Sequence, residues 1–238
     1  MSKTNDHKNS GEVNLFSILS HELKSSITLI QGLSELLKDN SLVGTNKELA
    51  QLVGYIHSTS NHTHKLLENV LNWSFLQNGN VSFKPQNVSV KGIVNHELEQ
   101  LAFAIQHKEL KLSCSVADEI IFADSHLLGM VIRNLLTNAI KYSYRGGAIT
   151  LSLYIYLDFY EFTITDSGKG ISDEVKRCLF KGELVESELG TESEQGTGLG
   201  LILCKEFVEQ HHGKLWFTSE EGRGSQFKFI IPSEGFVI

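Results

Sequence analysis

Residues 134–143 read NLLTNAIKYS, and the reading of this stretch decides the fold. It closes a longer apolar run, DSHLLGMVIRNLLTNAIKYS at 124–143, whose spacing predicts a helix with Ser125 as N-cap. On that helix Asn134, Asn138, Lys141 and Tyr142 lie close to one face. Two carboxamides, an ammonium and a phenol make an odd surface for a helix that also carries Leu135, Leu136, Ala139 and Ile140. Taken alone, an ordinary amphipathic helix accounts for this run equally well.

The flanking segments place the helix in a layered domain. Upstream, a helix is expected over Val90 to His107, followed by short strands at LSCSV and IIF. Downstream, AITLSLYIYLD and YEFTITD read as a hairpin, and SDEVKRCLF as a short helix capped by Ser172 with acids in its first turn. LGLILCKEFVEQHH is a further helix, and KLWFTS and SQFKFIIP are strands. Strands interleaved with helices in this order predict an α/β sandwich with helices on one face of a mixed sheet. The preceding NGNVSFKPQNVSV reads as a linker.

Two glycine-bearing stretches accompany the helix. Asp166-Ser-Gly168-Lys-Gly170-Ile171 ends a strand rich in β-branched and aromatic residues. Its glycines allow positive φ and close approach to a ligand, and its carboxylate can accept from an exocyclic amine such as adenine's. A common DSG turn explains it as well. Gly196-Thr197-Gly198-Leu199-Gly200 opens a helix, where exposed N–H groups and the helix dipole suit a phosphate. The spacing is neither GxGxxG nor a Walker loop, which disfavours both of those nucleotide folds.

Before the linker the pattern changes to long helices. Around LSHELKSSITLIQG at 19–32, Phe16, Leu19, Leu23, Ile27, Ile30, Leu33 and Leu37 form one apolar stripe. His21 faces away from it, as does Ser25. A capping box at Thr45 to Glu48 starts a second helix with Leu49, Leu52, Ile56, Thr63, Leu66 and Val70 on one face. One hairpin cannot cover both stripes, whereas two hairpins pair into a four-helix bundle, so a homodimer is expected.

Composition narrows the classes. A formal charge of −7 with no basic run argues against nucleic acid as a partner. Three separated cysteines support neither a disulfide framework nor a zinc site, and fit a reducing cytoplasm. No apolar window reaches the ~18 residues of a membrane span, and the polar first fourteen residues hold no signal-peptide core. His57 and His64, seven apart without carboxylate partners, read as a solvated face.

With these motifs assembled, residues 13–233 resemble the cytoplasmic core of a two-component sensor histidine kinase. SHELKSS resembles the phospho-acceptor box, NLLTNAIKYS the N box, DSGKGI and GTGLGL the two glycine boxes, and GRGSQFKFIIP the closing strand. The implied fold is α+β: a helical hairpin forming a dimeric four-helix bundle, then an α/β sandwich of Bergerat (GHKL) type that binds ATP. The implied organisation is 1–12 linker, 13–80 hairpin with the phosphotransfer histidine, and 81–238 ATP-binding domain with a lid at about 181–197.

The resemblance also implies roles. His21 would be the nucleophile, with Glu22 bonding one ring nitrogen, and a histidine with a pKa of about 6.5 needs no strong base to attack. Asn138 would ligate Mg²⁺ bridging the phosphates, with Asn134 beside it. Lys141 would contact phosphate, Tyr142 would line the site, and Asp166 would accept from the adenine amine. Gly168, Gly170, Gly196, Gly198 and Gly200, with Thr197 and Leu199 between them, would give backbone access to ATP. The implied partner is a response-regulator receiver domain, and an upstream sensor domain is absent from this chain.

Three positions qualify the resemblance. Asn134 stands where related ATPases place a glutamate to activate water, which favours transfer to a side chain over hydrolysis. Ser26 replaces a common proline, so the helix should bend less near His21. Ser25 replaces the Thr or Asn used for dephosphorylating the partner but keeps a hydroxyl. The stretch KGELVESELGTESEQ at 181–195 holds five glutamates and no cation after Lys181, so it should clamp phosphate poorly and be weakly ordered without nucleotide. A binding scaffold without turnover, or a serine kinase or ATPase on the same fold, are the competing readings.

Overall fold

The computed structural model of the chain describes residues 23–34, 36–37, 49, 51–56, 59–60, 63, 67, 83–179, 189–192, 194, 198 and 200–233. Contacts divide it into two compact units, Met1–Val81 and Ser82–Ile238.

In the first unit, residues 23–34 and 36–37 are helical (α1), as are 49, 51–56, 59–60, 63 and 67 (α2). Leu23, Ile30, Leu33 and Leu37 are half-buried, following the expected stripe. Ile27, also expected there, is 47% exposed. Leu29 and Leu36 lie off the stripe and are exposed too; on α2 the expected Leu52, Ile56 and Thr63 are half-buried, but the expected Leu49 is exposed, as are Val53, Tyr55 and Leu67. Ser26 is buried. A period of 3.6 fixes which residues share a face, but not how wide a band the neighbouring helix covers. The expected Phe16, Leu19, Leu66 and Val70, with His57 and His64, fall outside the described residues.

The second unit runs β1 (Gln86–Ser89), α3 (Val90–His107), β2 (Lys111–Ser115), β3 (Ile120–Ala123), α4 (Ser125–Tyr142), β4 (Ala148–Ile155), β5 (Phe159–Asp166), α5 (Asp173–Cys178), α6 (Gly200–Gln210), β6 (Lys214–Glu220) and β7 (Gly224–Pro232). Five strands form one sheet in the order β2-β4-β5-β7-β6. Only the β2–β4 pair is parallel, so the sheet is mixed.

Alternation along the strands decides which face the helices cover. Ile149, Leu151 and Leu153 of β4 are buried, opposite Asp166, Ile164 and Phe162 of β5. Phe162 in turn faces Phe229 of β7, their rings stacked 4.5 Å apart. Onto this face pack Leu128, Ile132 and Leu135 of α4 and Leu203 and Phe207 of α6, all 3% exposed or less. At about 1.5–3 kcal/mol for each large apolar side chain, this core is the main source of stability. The opposite face is polar, with Lys228 paired to Glu161 at 3.1 Å and Gln226 donating to Thr165 at 3.0 Å.

Two local readings change. The expected linker contains a strand, because Gln86–Ser89 pairs antiparallel with β3 in a separate two-stranded sheet. Just before it, Phe83 packs edge-on against His211 at 5.0 Å, and the Lys84 N–H donates to Asp124 at 3.0 Å. The N-cap of α4 is Asp124 rather than Ser125. Its Oδ1 accepts from the N–H groups of His126 and Leu127 at 3.0 and 3.1 Å, while its other oxygen takes Lys84. Ser172 caps α5 as expected. Cys114 is exposed and Cys204 buried, and both are free.

Candidate nucleotide site

Helix α4 carries most of the site because its two faces differ. Leu135, Leu136 and Ala139 go into the core, while Asn134, Asn138 and Tyr142 stay half-buried. Asn134 reaches α6. A methyl group added at Gly200 would lie 3.5 Å from its Oδ1, an ordinary contact distance, and its side chain hydrogen-bonds Cys204. That thiol is wholly buried, and burial pushes its pKa up to about 12 despite the bond from Asn134. The N-box helix and the start of the helix opened by the second glycine stretch therefore touch.

At its other end α4 meets the turn after β5. The Lys169 N–H donates to the Tyr142 carbonyl at 3.0 Å. Gly168 is pressed against that same carbonyl, where any Cβ would collide with backbone. Gly170 has φ +70° and packs as closely on the Glu220 carbonyl. The tight approaches of these two glycines are thus to the chain's own backbone. They fold the turn that carries Asp166.

Asp166 is 6% exposed and its carboxylate is held by main-chain donors, Gly168 N–H at 2.9 Å and Ser225 N–H. Burial raises its pKa above the ordinary value of 3.8, and the two backbone bonds offset that only in part. Among the described residues no cation pairs with this carboxylate, which keeps acceptor capacity beyond its two main-chain bonds.

Two ammonium groups flank the Tyr142 ring. Lys141 Nζ lies 4.6 Å from its centroid and donates to its hydroxyl at 2.9 Å, and Lys169 Nζ lies 5.1 Å away. Lys141 is itself buried. Lys169 also donates to the Leu189 carbonyl at 3.1 Å. Its role was not legible beforehand, although it stands inside DSGKGI.

Of the other expected residues, Ser25 is exposed on α1 and Gly198 is exposed with φ +71°. His21, Glu22, Gly196, Thr197 and Leu199 lie outside the described residues, as do 181–188 of the expected lid. Of that segment, residues 190–192 and Glu194 make several bonds. Thr191 N–H donates to the Lys141 carbonyl at 3.1 Å, and Thr191 Oγ1 to the Ser143 carbonyl at 2.6 Å. The cations it lacks come from elsewhere, Lys108 pairing with Glu194 and Arg145 with Glu192. Among the described residues no group of three His, Cys, Asp or Glu could hold a metal, and no helix is long and apolar enough to cross a membrane.

Two families match the chain. Residues 12–79 match the His Kinase A (phospho-acceptor) domain, and residues 123–235 the histidine kinase-, DNA gyrase B- and HSP90-like ATPase. Sensor protein KdpD of Clostridium acetobutylicum is 29% identical over 221 residues, covering 93% of this chain and 25% of that protein. Adaptive-response sensory kinase SasA of Crocosphaera subtropica is 30% identical over 226 residues, covering 92% and 58%. The chain therefore spans about a quarter of one of these relatives and 58% of the other, less than two thirds of each. Among solved structures, the Acinetobacter baumannii histidine kinase AdeS is 21% identical with a TM-score of 0.71, covering 90% of this chain and 98% of that one. Histidine kinase ThkA, in complex with the response regulator TrrA, is 20% identical with a TM-score of 0.72, covering 97% and 64%.

Proposed function

The chain belongs to the sensor histidine kinases as their catalytic core, and we propose that it uses ATP to phosphorylate His21 and passes the phosphoryl group to a response-regulator aspartate. The observation that carries this is Asp166. A buried carboxylate held by main-chain donors, joined through Gly168 to the backbone of Tyr142, whose ring has two lysines near it, suits adenine at one end and phosphate at the other.

The residues present fit nucleotide and metal. The Asp166 carboxylate accepts from the adenine amine, and Tyr142 lines the pocket. Lys141 and the half-buried carboxamides of Asn134 and Asn138 face the phosphates. The amide oxygen of Asn138 is a hard donor of the kind that Mg²⁺ takes, and Mg²⁺ when bound would neutralise phosphate charge. The backbone N–H groups of Gly198 and Gly200 lie where α6 begins and suit a phosphate, and the resemblance would add those of Gly196, Thr197 and Leu199. Gly168 and Gly170 hold the turn beneath Asp166.

In the transfer, a ring nitrogen of His21 bonds to the γ-phosphorus while the P–O bond to the β-phosphate breaks and ADP leaves with the electron pair. Glu22 accepts a hydrogen bond from the other ring nitrogen and orients the imidazole. The phosphohistidine then yields its phosphoryl group to a carboxylate oxygen of the receiver. Asn134, a poor base, does not activate water against this transfer. Any dephosphorylation of the receiver would depend on Ser25.

The protomer works as a homodimer in the cytoplasm. Supporting the homodimer, Ile27, Leu29, Leu36, Val53 and Tyr55 are each at least 42% exposed in the single chain, an apolar surface that a second hairpin would cover. The complex of ThkA with TrrA supports the receiver as partner. Incubation with γ-labelled ATP and Mg²⁺ tests the reading. Acid-labile, base-stable label is the expected result; acid-stable label, or phosphate release without label, would favour a serine kinase or an ATPase.

A further inference from the structure

We propose that Lys108 is a positioning residue of the nucleotide site, tying Glu194 to the C-terminal end of α4 and so fixing the backbone of Lys141 and Tyr142. The inference rests on the nucleotide-site reading above.

Lys108 is the C-cap of α3 and its side chain is 3% exposed. An ammonium has three N–H donors and no acceptor. Here each donor has a partner: the Ile140 carbonyl at 2.8 Å, the Lys141 carbonyl at 2.9 Å and Glu194 Oε1 at 2.6 Å. The two carbonyls belong to the last turn of α4, where intrahelical donors run out and the helix dipole is negative. A buried cation therefore caps the helix that carries the site.

Glu194 completes a small closed turn. Its carbonyl accepts from Gly190 N–H at 2.9 Å and its Oε2 from Glu192 N–H at 2.7 Å. Burial alone would push this carboxyl up, but Lys108 and the backbone donors together hold it below its usual range. The turn docks back on α4 through Thr191, whose N–H shares the Lys141 carbonyl with Lys108. From the other side Lys169 holds Leu189 while lying near the Tyr142 ring. One cation from α3 and one from the turn after β5 thus grip the same strap, and both grips end at Lys141 or Tyr142.

The Lys108–Glu194 pair differs from Arg145–Glu192 on the same strap, whose arginine is 47% exposed. Exposed pairs contribute little, whereas here one member, Lys108, is buried, and removing Glu194 leaves its ammonium without a counter-charge.

The test is calorimetric titration with Mg²⁺-ATP of the unaltered chain, Lys108→Met, Glu194→Ala, the double variant and Lys108→Arg, with thermal unfolding and the KM for ATP in labelling measured alongside. Each single variant should bind on the order of tenfold more weakly and raise KM without lowering the maximal label, and the double variant should be no worse than the weaker single, as coupled sites require. Lys108→Arg should recover part of the affinity. Should Lys108→Met fail to fold, Glu194→Ala carries the test, since Glu194 is partly exposed. Folded variants that match the unaltered chain in affinity, however much their melting temperature drops, would overturn the inference alone. An unaltered chain that binds no nucleotide would overturn the inference and the nucleotide-site reading together.

Discussion

The carbonyl of Tyr142 accepts the backbone N–H of Lys169 at 3.0 Å, joining the end of α4 to the turn after β5. Twenty-seven residues apart in sequence, the N box and the first glycine box become one surface through this bond. Gly168 lies between the bonded residues and is the reason the approach is possible.

Gly168→Ala should therefore act on both motifs. The added methyl has no free volume and meets backbone, which cannot swing aside. A loss of about 1–3 kcal/mol of stability is expected, the usual cost of overpacking. Chemical denaturation of residues 82–238 would measure it, with nucleotide affinity falling in parallel.

Asp166→Asn should separate stability from binding. Burial raises the Asp166 pKa above 3.8. The sign follows directly: a raised carboxyl stabilises fully below its unfolded value, and that contribution is lost as pH rises through the folded value. At neutral pH the ionised group is thus a cost that asparagine removes while still accepting from Gly168. The variant should melt no lower than the unaltered chain at pH 7, lose this advantage as the pH falls through the raised value, and bind ATP at least tenfold more weakly, about 1.4 kcal/mol. Melting curves across pH, with nucleotide titration at neutral pH, check both halves.

His211 should give the second unit an acid-sensitive joint. Its Nδ1 donates to the Phe207 carbonyl at 2.7 Å and its Nε2 accepts from the Asp124 N–H at 3.0 Å, so the bonded form is neutral. Burial lowers its pKa from 6.5, with the Phe207 bond and the charge of Asp124 opposing. A depressed histidine contributes stability that is fully present above about pH 6.5 and is lost as pH falls from there through the folded value. The unaltered chain should thus lose melting temperature as pH falls below about 6.5, and His211→Gln should flatten that dependence.

Ser25→Ala should spare autophosphorylation, because the hydroxyl takes no part in attack on ATP. It should slow dephosphorylation of the phosphorylated receiver by about tenfold, read as the decay of receiver phosphate in the presence of ADP.

The elements with dense apolar patterning were legible before the structure. Helix α4 and the β4–β5 hairpin showed their periods plainly, and the mixed sheet follows from their order. Strand β1 was not, because QNVS holds a single apolar residue and its pairing with β3 depends on residues more than thirty positions away. Asp124 and Ser125 are both good caps, and only the bond from Lys84 shows why the aspartate is turned inward. How much of the α1 stripe a single chain covers was not legible, since exposure at Ile27 depends on the partner helix. Lys108 and Glu194, separated by 86 positions, share no motif at all. In the site, Asp166 and the N box were marked by residue type, whereas Lys169 offered no signal beyond standing between two glycines.

The most direct measurement of the central claim is the position of the label. The chain and its His21→Ala variant are incubated with γ-labelled ATP and Mg²⁺, and nucleotide binding by both is measured in parallel. The account predicts that His21→Ala binds ATP as the unaltered chain does and takes up no label. Label of equal stoichiometry on the folded, ATP-binding variant would contradict it.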